Sequence, residues 1–162
     1  MDRGLRLIHF SGLILFLGSI LAFIVVSIRT KDAGLENLAF GRQIISSGTA
    51  VLTVPGLWAL TLSGLWMALR KYRMRSRFFQ LKLLLGALIL VNAHLFVVPA
   101  VNKATELAVF SQTEGRLRSE YTQAFQKEEL FGIMNVAMAA AAMIAGVWKI
   151  GQIQKTEKEE SV

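Results

Sequence analysis

Apolar positions in this chain neither alternate nor follow a single helical stripe. They come in four unbroken runs, residues 7–28, 43–69, 83–102 and 130–148, none of which contains Asp, Glu, Lys or Arg. A helix crossing a hydrocarbon core needs about 20 apolar residues. Apolar character all round a helix is what a lipid solvent requires. The pattern predicts an all-α fold, an integral membrane four-helix bundle forming one transmembrane domain over residues 1–162, with spans near 7–28, 43–69, 79–102 and 130–149. The first run is too long for a secretory signal, and no small-x-small cleavage site follows it, so it is expected to be retained.

The sizeable polar stretch is 103–129. Within it Leu117, Tyr121 and Phe125 recur at helical spacing among polar residues. That spacing predicts a separate amphipathic helix, at 104–127, on the outer membrane surface between spans 3 and 4. Gly115 is where it would break from an extension of the third span.

Charge sets the orientation. Segments 1–6, 70–82 and 149–162 carry 11 Lys and Arg against 4 acids, whereas 29–42 and 103–129 carry 7 of each. Lys and Arg collect on the cytoplasmic side, so both termini are expected there (N-in/C-in). The basic run from Arg70 to Arg77 is the strongest indicator. The net charge of +7 is thereby a property of the loops, and nucleic acid is not expected as a partner. The lipid bilayer is, and the same basic loops can attract anionic head groups. Charged residues make up 18% of the chain, below the roughly 25% of a soluble domain, which agrees with the membrane reading. With no cysteine, disulfides and thiolate metal ligands are excluded. Trp66 and Trp148 sit where aromatic belts form, and Trp58, eight residues deeper, reads as packing.

Small residues let membrane helices approach closely. Gly18 and Ala22 in the first span, Gly56 and Gly64 in the second, and Ala137, Ala141 and Ala145 in the fourth are expected bundle contacts, or equally a homodimer face. Pro55 interrupts the second span and frees the carbonyl of Val51, which Thr53 or a neighbouring helix could satisfy. A kink is expected at Val54-Pro55-Gly56.

Ionisable groups inside a membrane carry a functional hypothesis by default. His9 lies three residues after Arg6 and Lys82 five residues after Arg77, so both sit about one helical turn inside the same face and can meet. An imidazole beside an ammonium can ligate haem iron, pass protons, or bind a propionate or a lipid phosphate. Alternatively, Lys82 snorkels to the head groups and His9 is interfacial. His94 lies about 18 Å further along the third span, too far to share a metal with His9. With Asn92, Met134, Asn135 and Met138 it would form a second site, suited to copper(I) or a His/Met haem. The alternative is that these methionines fill gaps in an alanine-rich helix. No acid lies inside a span, which argues against a carboxylate proton relay. Catalytic triads and phosphate loops are also absent from the sequence.

The first span reads Leu7-Ile8-His9-Phe10-Ser11-Gly12. The second contains Val54-Pro55-Gly56 and Thr61-Leu62-Ser63-Gly64-Leu65-Trp66. The third runs from Phe78-Phe79-Gln80-Leu81-Lys82-Leu83 through His94 to Pro99-Ala100-Val101. This pattern resembles small four-helix bacterial inner-membrane proteins of unknown function, which look related to the HemJ-type protoporphyrinogen oxidases and to the membrane domain of copper-resistance D proteins. The resemblance implies a multi-pass protein of the bacterial inner membrane with haem b as cofactor. It makes His9 the haem-iron ligand and Lys82 its essential, candidate catalytic partner. A membrane haem-dependent oxidoreductase acting on a tetrapyrrole, or passing electrons to a quinone, is then the leading expectation. A copper-handling protein using His94, Met134 and Met138, and a non-catalytic scaffold or subunit, are the alternatives.

Overall fold

The computed structural model describes residues 3–72 and 77–147, and every regular element in that range is helical. Helix α1 spans Arg3–Thr30, α2 Leu35–Gly48, α3 Val54–Tyr72, α4 Arg77–Asn92, α5 Val98–Glu114 and α6 Ser119–Val147. A π-turn, Thr49–Thr53, joins α2 to α3, and a second, Ala93–Val97, joins α4 to α5. The result is four rods, each long and apolar enough to cross a membrane. Their surface is correspondingly apolar; Leu7, Ile14, Leu21, Val51, Leu95 and Ile133 are each more than half exposed. Trp148, the charged tail and residues 73–76 of the basic run lie outside the described residues.

Both described reversals use glycine in a left-handed conformation, Gly34 (φ 90°) ahead of α2 and Gly115 (φ 71°) after α5. An L side chain meets steric conflict there, so these two residues fix where the rods turn. We call that side the Arg42 end and the opposite side the His9 end.

Two cores hold the rods together. Mid-bundle, Phe16, Leu57, Ile89, Ala93 and Ala139 are buried against one another, with Met138 packed onto them. Towards the Arg42 end, Leu38 of α2 meets Ala104, Leu107 and Ala108 of α5 and Tyr121 and Ala124 of α6. This second core corrects one expectation. Segment 104–127 is not a separate amphipathic helix. It is divided at Gly115 between the last turns of α5 and the first turns of α6, which form a helical hairpin. Of the three apolar positions at helical spacing, Tyr121 is buried against α2 and α5 and Phe125 packs against the same cluster, whereas Leu117, at the turn, stays exposed.

Close backbone approach occurs at Gly12 and Gly56, where α1 crosses α3. A Cβ on Gly12 would lie 2.5 Å from the Leu60 nitrogen, and one on Gly56 would lie 2.8 Å from the Phe16 nitrogen. Of the expected small-residue contacts, Gly56, Gly64 and Ala145 face the interior. Gly18 has nothing within 4 Å of its Cβ position, and Ala22, Ala137 and Ala141 are exposed.

A π-turn precedes Pro55, where a kink is expected from the sequence. Val54 donates its N–H to the carbonyl of Thr49, five residues back, immediately before the proline; Val98 does the same to Ala93 immediately before Pro99. Widening the turn moves the preceding carbonyl away from the pyrrolidine ring, which would otherwise clash with it. Thr53 does not cap a freed carbonyl. Its hydroxyl lies 2.8 Å from that of Ser19, which in turn donates to the Phe16 carbonyl.

Candidate functional site

His9 projects from α1 onto α3. Its Nδ1 lies 3.0 Å from the carbonyl oxygen of Leu60 and 3.1 Å from the hydroxyl of Ser63. A carbonyl only accepts, so Nδ1 carries the proton. The Ser63 hydroxyl donates back to the Ala59 carbonyl, which leaves its oxygen free to accept from the same ring N–H. In the neutral ring Nε2 then keeps its lone pair, and among the described residues it has no hydrogen-bond partner. Gly64 seats the ring; a Cβ there would lie 3.1 Å from His9 Cε1.

Lys82 of α4 is half-buried and already engaged by another residue. It lies at the same end of the bundle as His9 and is near enough for its charge to act on the imidazole. Arg6 lies one turn before His9 on α1, and Arg70, whose guanidinium sits 5.4 Å over the Trp66 ring, ends α3 on the same side.

His94 is placed differently from expectation. It stands in the second π-turn, exposed, with its ring edge-on to Trp58 at 5.6 Å between centroids. Trp58 Nε1 donates to His94 Nε2 at 3.2 Å, and Nδ1 lies 3.0 Å from the Leu90 carbonyl. Indole only donates and a carbonyl only accepts, so His94 is held as the neutral Nδ1–H tautomer with its one lone pair in use. Asn92, assigned with it, bonds instead to Asn135 (2.7 Å) and to the Phe131 carbonyl (2.9 Å). Met138 packs into the mid-bundle core and Met134 is exposed. The arrangement offers copper no open imidazole, because metal ligation and the Trp58 bond compete for one lone pair. Among the described residues no group of three or more His, Cys, Asp or Glu is placed to hold a metal ion.

Sequence reasoning missed the most deeply buried charge. Arg42 of α2 is 1% exposed, and its guanidinium is clasped by both carboxylate oxygens of Glu128 on α6. The Phe125 ring lies 5.8 Å away, and Thr105 of α5 donates to the Arg42 carbonyl at 3.1 Å. Nε of Arg42 is buried and, among the described residues, has no hydrogen-bond partner. The signal was available, since Arg42 bounds one charge-free run and Glu128 lies two residues before another, at the same end of the bundle.

No family model, curated protein or solved structure matches this chain. The functional reading accordingly rests on the chemistry of these side chains.

Proposed function

We propose that this is a four-span protein of the bacterial inner membrane, both termini cytoplasmic, that binds haem b through His9 and serves a haem-dependent redox function. The observation that carries this reading is the anchoring of His9 Nδ1–H on the Leu60 carbonyl. A metal-ligating imidazole characteristically donates its second ring nitrogen to a carbonyl or carboxylate, which fixes the tautomer and raises the basicity of the ligating nitrogen. His9 has that support, plus Ser63, and offers Nε2 as the ligating atom. The donor set offers one imidazole nitrogen that would hold the group. Haem bound there would supply one-electron chemistry. Lys82, at the same end of the bundle, would exchange its present partner for a propionate, and the distribution of Lys and Arg supports placing this end in the cytoplasm.

The test is optical. Detergent-purified protein from haem-replete cells is expected to show a Soret band that is lost in His9→Ala and retained in His94→Ala. Colourless wild-type protein, or a band unaffected by His9→Ala, rejects the proposal.

A further inference from the structure

The seam between α4 and α6 holds two amides that bond to each other and leave half of their capacity unused. Asn92 Nδ2 donates to the Phe131 carbonyl at 2.9 Å and to Asn135 Oδ1 at 2.7 Å. A carbonyl only accepts, so the Phe131 contact fixes which way the Asn92 amide faces. Its bond to Asn135 then fixes the second amide. One acceptor, Asn92 Oδ1, and one donor, Asn135 Nδ2, remain. Among the described residues neither has a hydrogen-bond partner. Each lies across one amide carbon from an atom of the Asn92–Asn135 bond, so the two are at most about 7 Å apart.

Both side chains are more than nine-tenths buried, Asn92 at 7% exposure and Asn135 at 3%. Their unbonded atoms are nevertheless not sealed; among the described residues the side-chain atom that is both sealed and unbonded is Arg42 Nε. The amide atoms therefore border space that another atom can reach. The surroundings are apolar. Asn92 precedes Ala93, and Asn135 lies one turn before Ala139, both of the mid-bundle core. On the other side of the pair the rings of Phe96 and Phe131 stack at 4.6 Å. With the rods in a membrane, bulk water does not serve this level, and an unmet amide there is costly. Polar side chains commonly join membrane helices, but a pair that only joined them would complete its second mutual bond. This pair is held open by the Phe131 carbonyl, and Asn92 leads directly into the second π-turn, an irregularity that concentrates at functional positions.

We propose that the Asn92–Asn135 pair is a binding site for a hydroxyl group, which accepts from Asn135 Nδ2 and donates to Asn92 Oδ1. A hydroxyl oxygen does both at once. A ketone or carboxylate would set a lone pair against Asn92 Oδ1, and an ammonium would set an N–H against Asn135 Nδ2. Two sources supply the group. One is a lipid-soluble alcohol or hydroquinone whose body stays in the membrane; the other is a water molecule retained from folding. The proposal rests on the membrane reading and not on the haem, so colourless protein leaves it standing.

The chain has four asparagines, Asn37, Asn92, Asn102 and Asn135. Asparagine-selective nitrogen-15 labelling therefore gives a side-chain amide spectrum simple enough to follow Asn135, assigned by the signals lost in Asn135→Gln. Detergent-purified protein is titrated anaerobically with tetramethylhydroquinone and, separately, with its dimethyl ether, which accepts but cannot donate. If the membrane supplies the group, the hydroquinone is expected to move the Asn135 signals saturably, and the ether to bind at least about tenfold more weakly for want of one hydrogen bond. If water supplies it, Asn135 Nδ2 is expected to show a rotating-frame cross-relaxation peak with water, opposite in sign to exchange, that the hydroquinone leaves in place. Asn135 signals that neither contact water nor respond to the hydroquinone overturn the proposal. Equal binding of the hydroquinone and its ether, without a water peak, overturns it as well.

Discussion

Arg42 is sealed between α2, α5 and α6 with Glu128 as its bidentate counter-ion. The pair is buried on the arginine side and only 16% exposed on the glutamate side. Removing one member leaves an uncompensated buried charge, which costs about 3–5 kcal/mol, whereas replacing both by apolar groups of similar volume is often neutral. Glu128→Gln and Arg42→Met are each expected to lower the unfolding temperature in detergent sharply. The double variant Arg42→Met/Glu128→Leu should recover most of the loss. If the single changes are silent, the pair is not held as described.

At the crossing of α1 and α3 the two backbones touch through Gly12 and Gly56. Gly12→Ala must push Leu60 and Gly56 away and is expected to cost about 1–3 kcal/mol by overpacking. Gly18→Ala, six residues along the same helix with nothing near its Cβ position, should change stability by less than about 0.5 kcal/mol. Thermal unfolding of the two variants side by side separates a helix contact from a glycine that merely fits the sequence pattern.

Much of this was legible before the fold was known. The four long apolar rods follow from charge-free length alone, and residue counts put His9 and Lys82 at the same end of them. The same count applied to Arg42 and Glu128 would have paired them; they were read as loop charges because they flank the apolar runs. Azimuth was not legible. Gly12 and Gly18 look alike in a list of small residues, and only the crossing of α1 with α3 decides which is buried. His94 was likewise assigned by depth, whereas its neighbour is settled by which way the second π-turn rotates it, towards Trp58 and away from Met138. The π-turns themselves were half visible, since Val-Pro occurs twice, but a kink and a widened turn cost a single chain little to interchange.

Because the chain has no native cysteine, orientation can be read with single-cysteine variants. Asp32→Cys and Glu120→Cys, at the Arg42 end, are expected to react with a membrane-impermeant maleimide added to intact spheroplasts. Arg3→Cys, at the His9 end, should react only after permeabilisation. The reverse pattern would put His9 on the outer face and remove the cytoplasmic assignment, although it would leave the helix packing untouched.

Trp58 supplies the sole described donor to His94 Nε2. Trp58→Phe keeps the ring contact but removes that N–H, with an expected loss of about 1 kcal/mol. In the wild type, nitrogen-15 spectra of His94 should show a pyridine-type Nε2 and a protonated Nδ1. In Trp58→Phe the Nε2 signal should move as its hydrogen bond disappears, while Nδ1 stays bonded to Leu90. Protonation found on Nε2 in the wild type would contradict the bond to Trp58.

Ser63 gives the haem proposal a test beyond presence or absence of colour. It shares the His9 Nδ1–H with the Leu60 carbonyl, so Ser63→Ala removes one of two acceptors and leaves the ring in place. Less electron density then reaches Nε2, and a less basic axial ligand stabilises ferric iron less. The Soret band is expected to survive while the reduction potential rises. Stability should fall by no more than about 1 kcal/mol, because the backbone acceptor remains. Gly64→Val acts on the same ring by bulk, since a Cβ at this position already comes within 3.1 Å of Cε1. It should displace the imidazole and lose the haem spectrum without unfolding the bundle. A potential unmoved by Ser63→Ala, in protein whose Soret band does require His9, would mean that ligation turns His9 away from α3. The hydrogen bond to Leu60 would then have no part in holding the ligand.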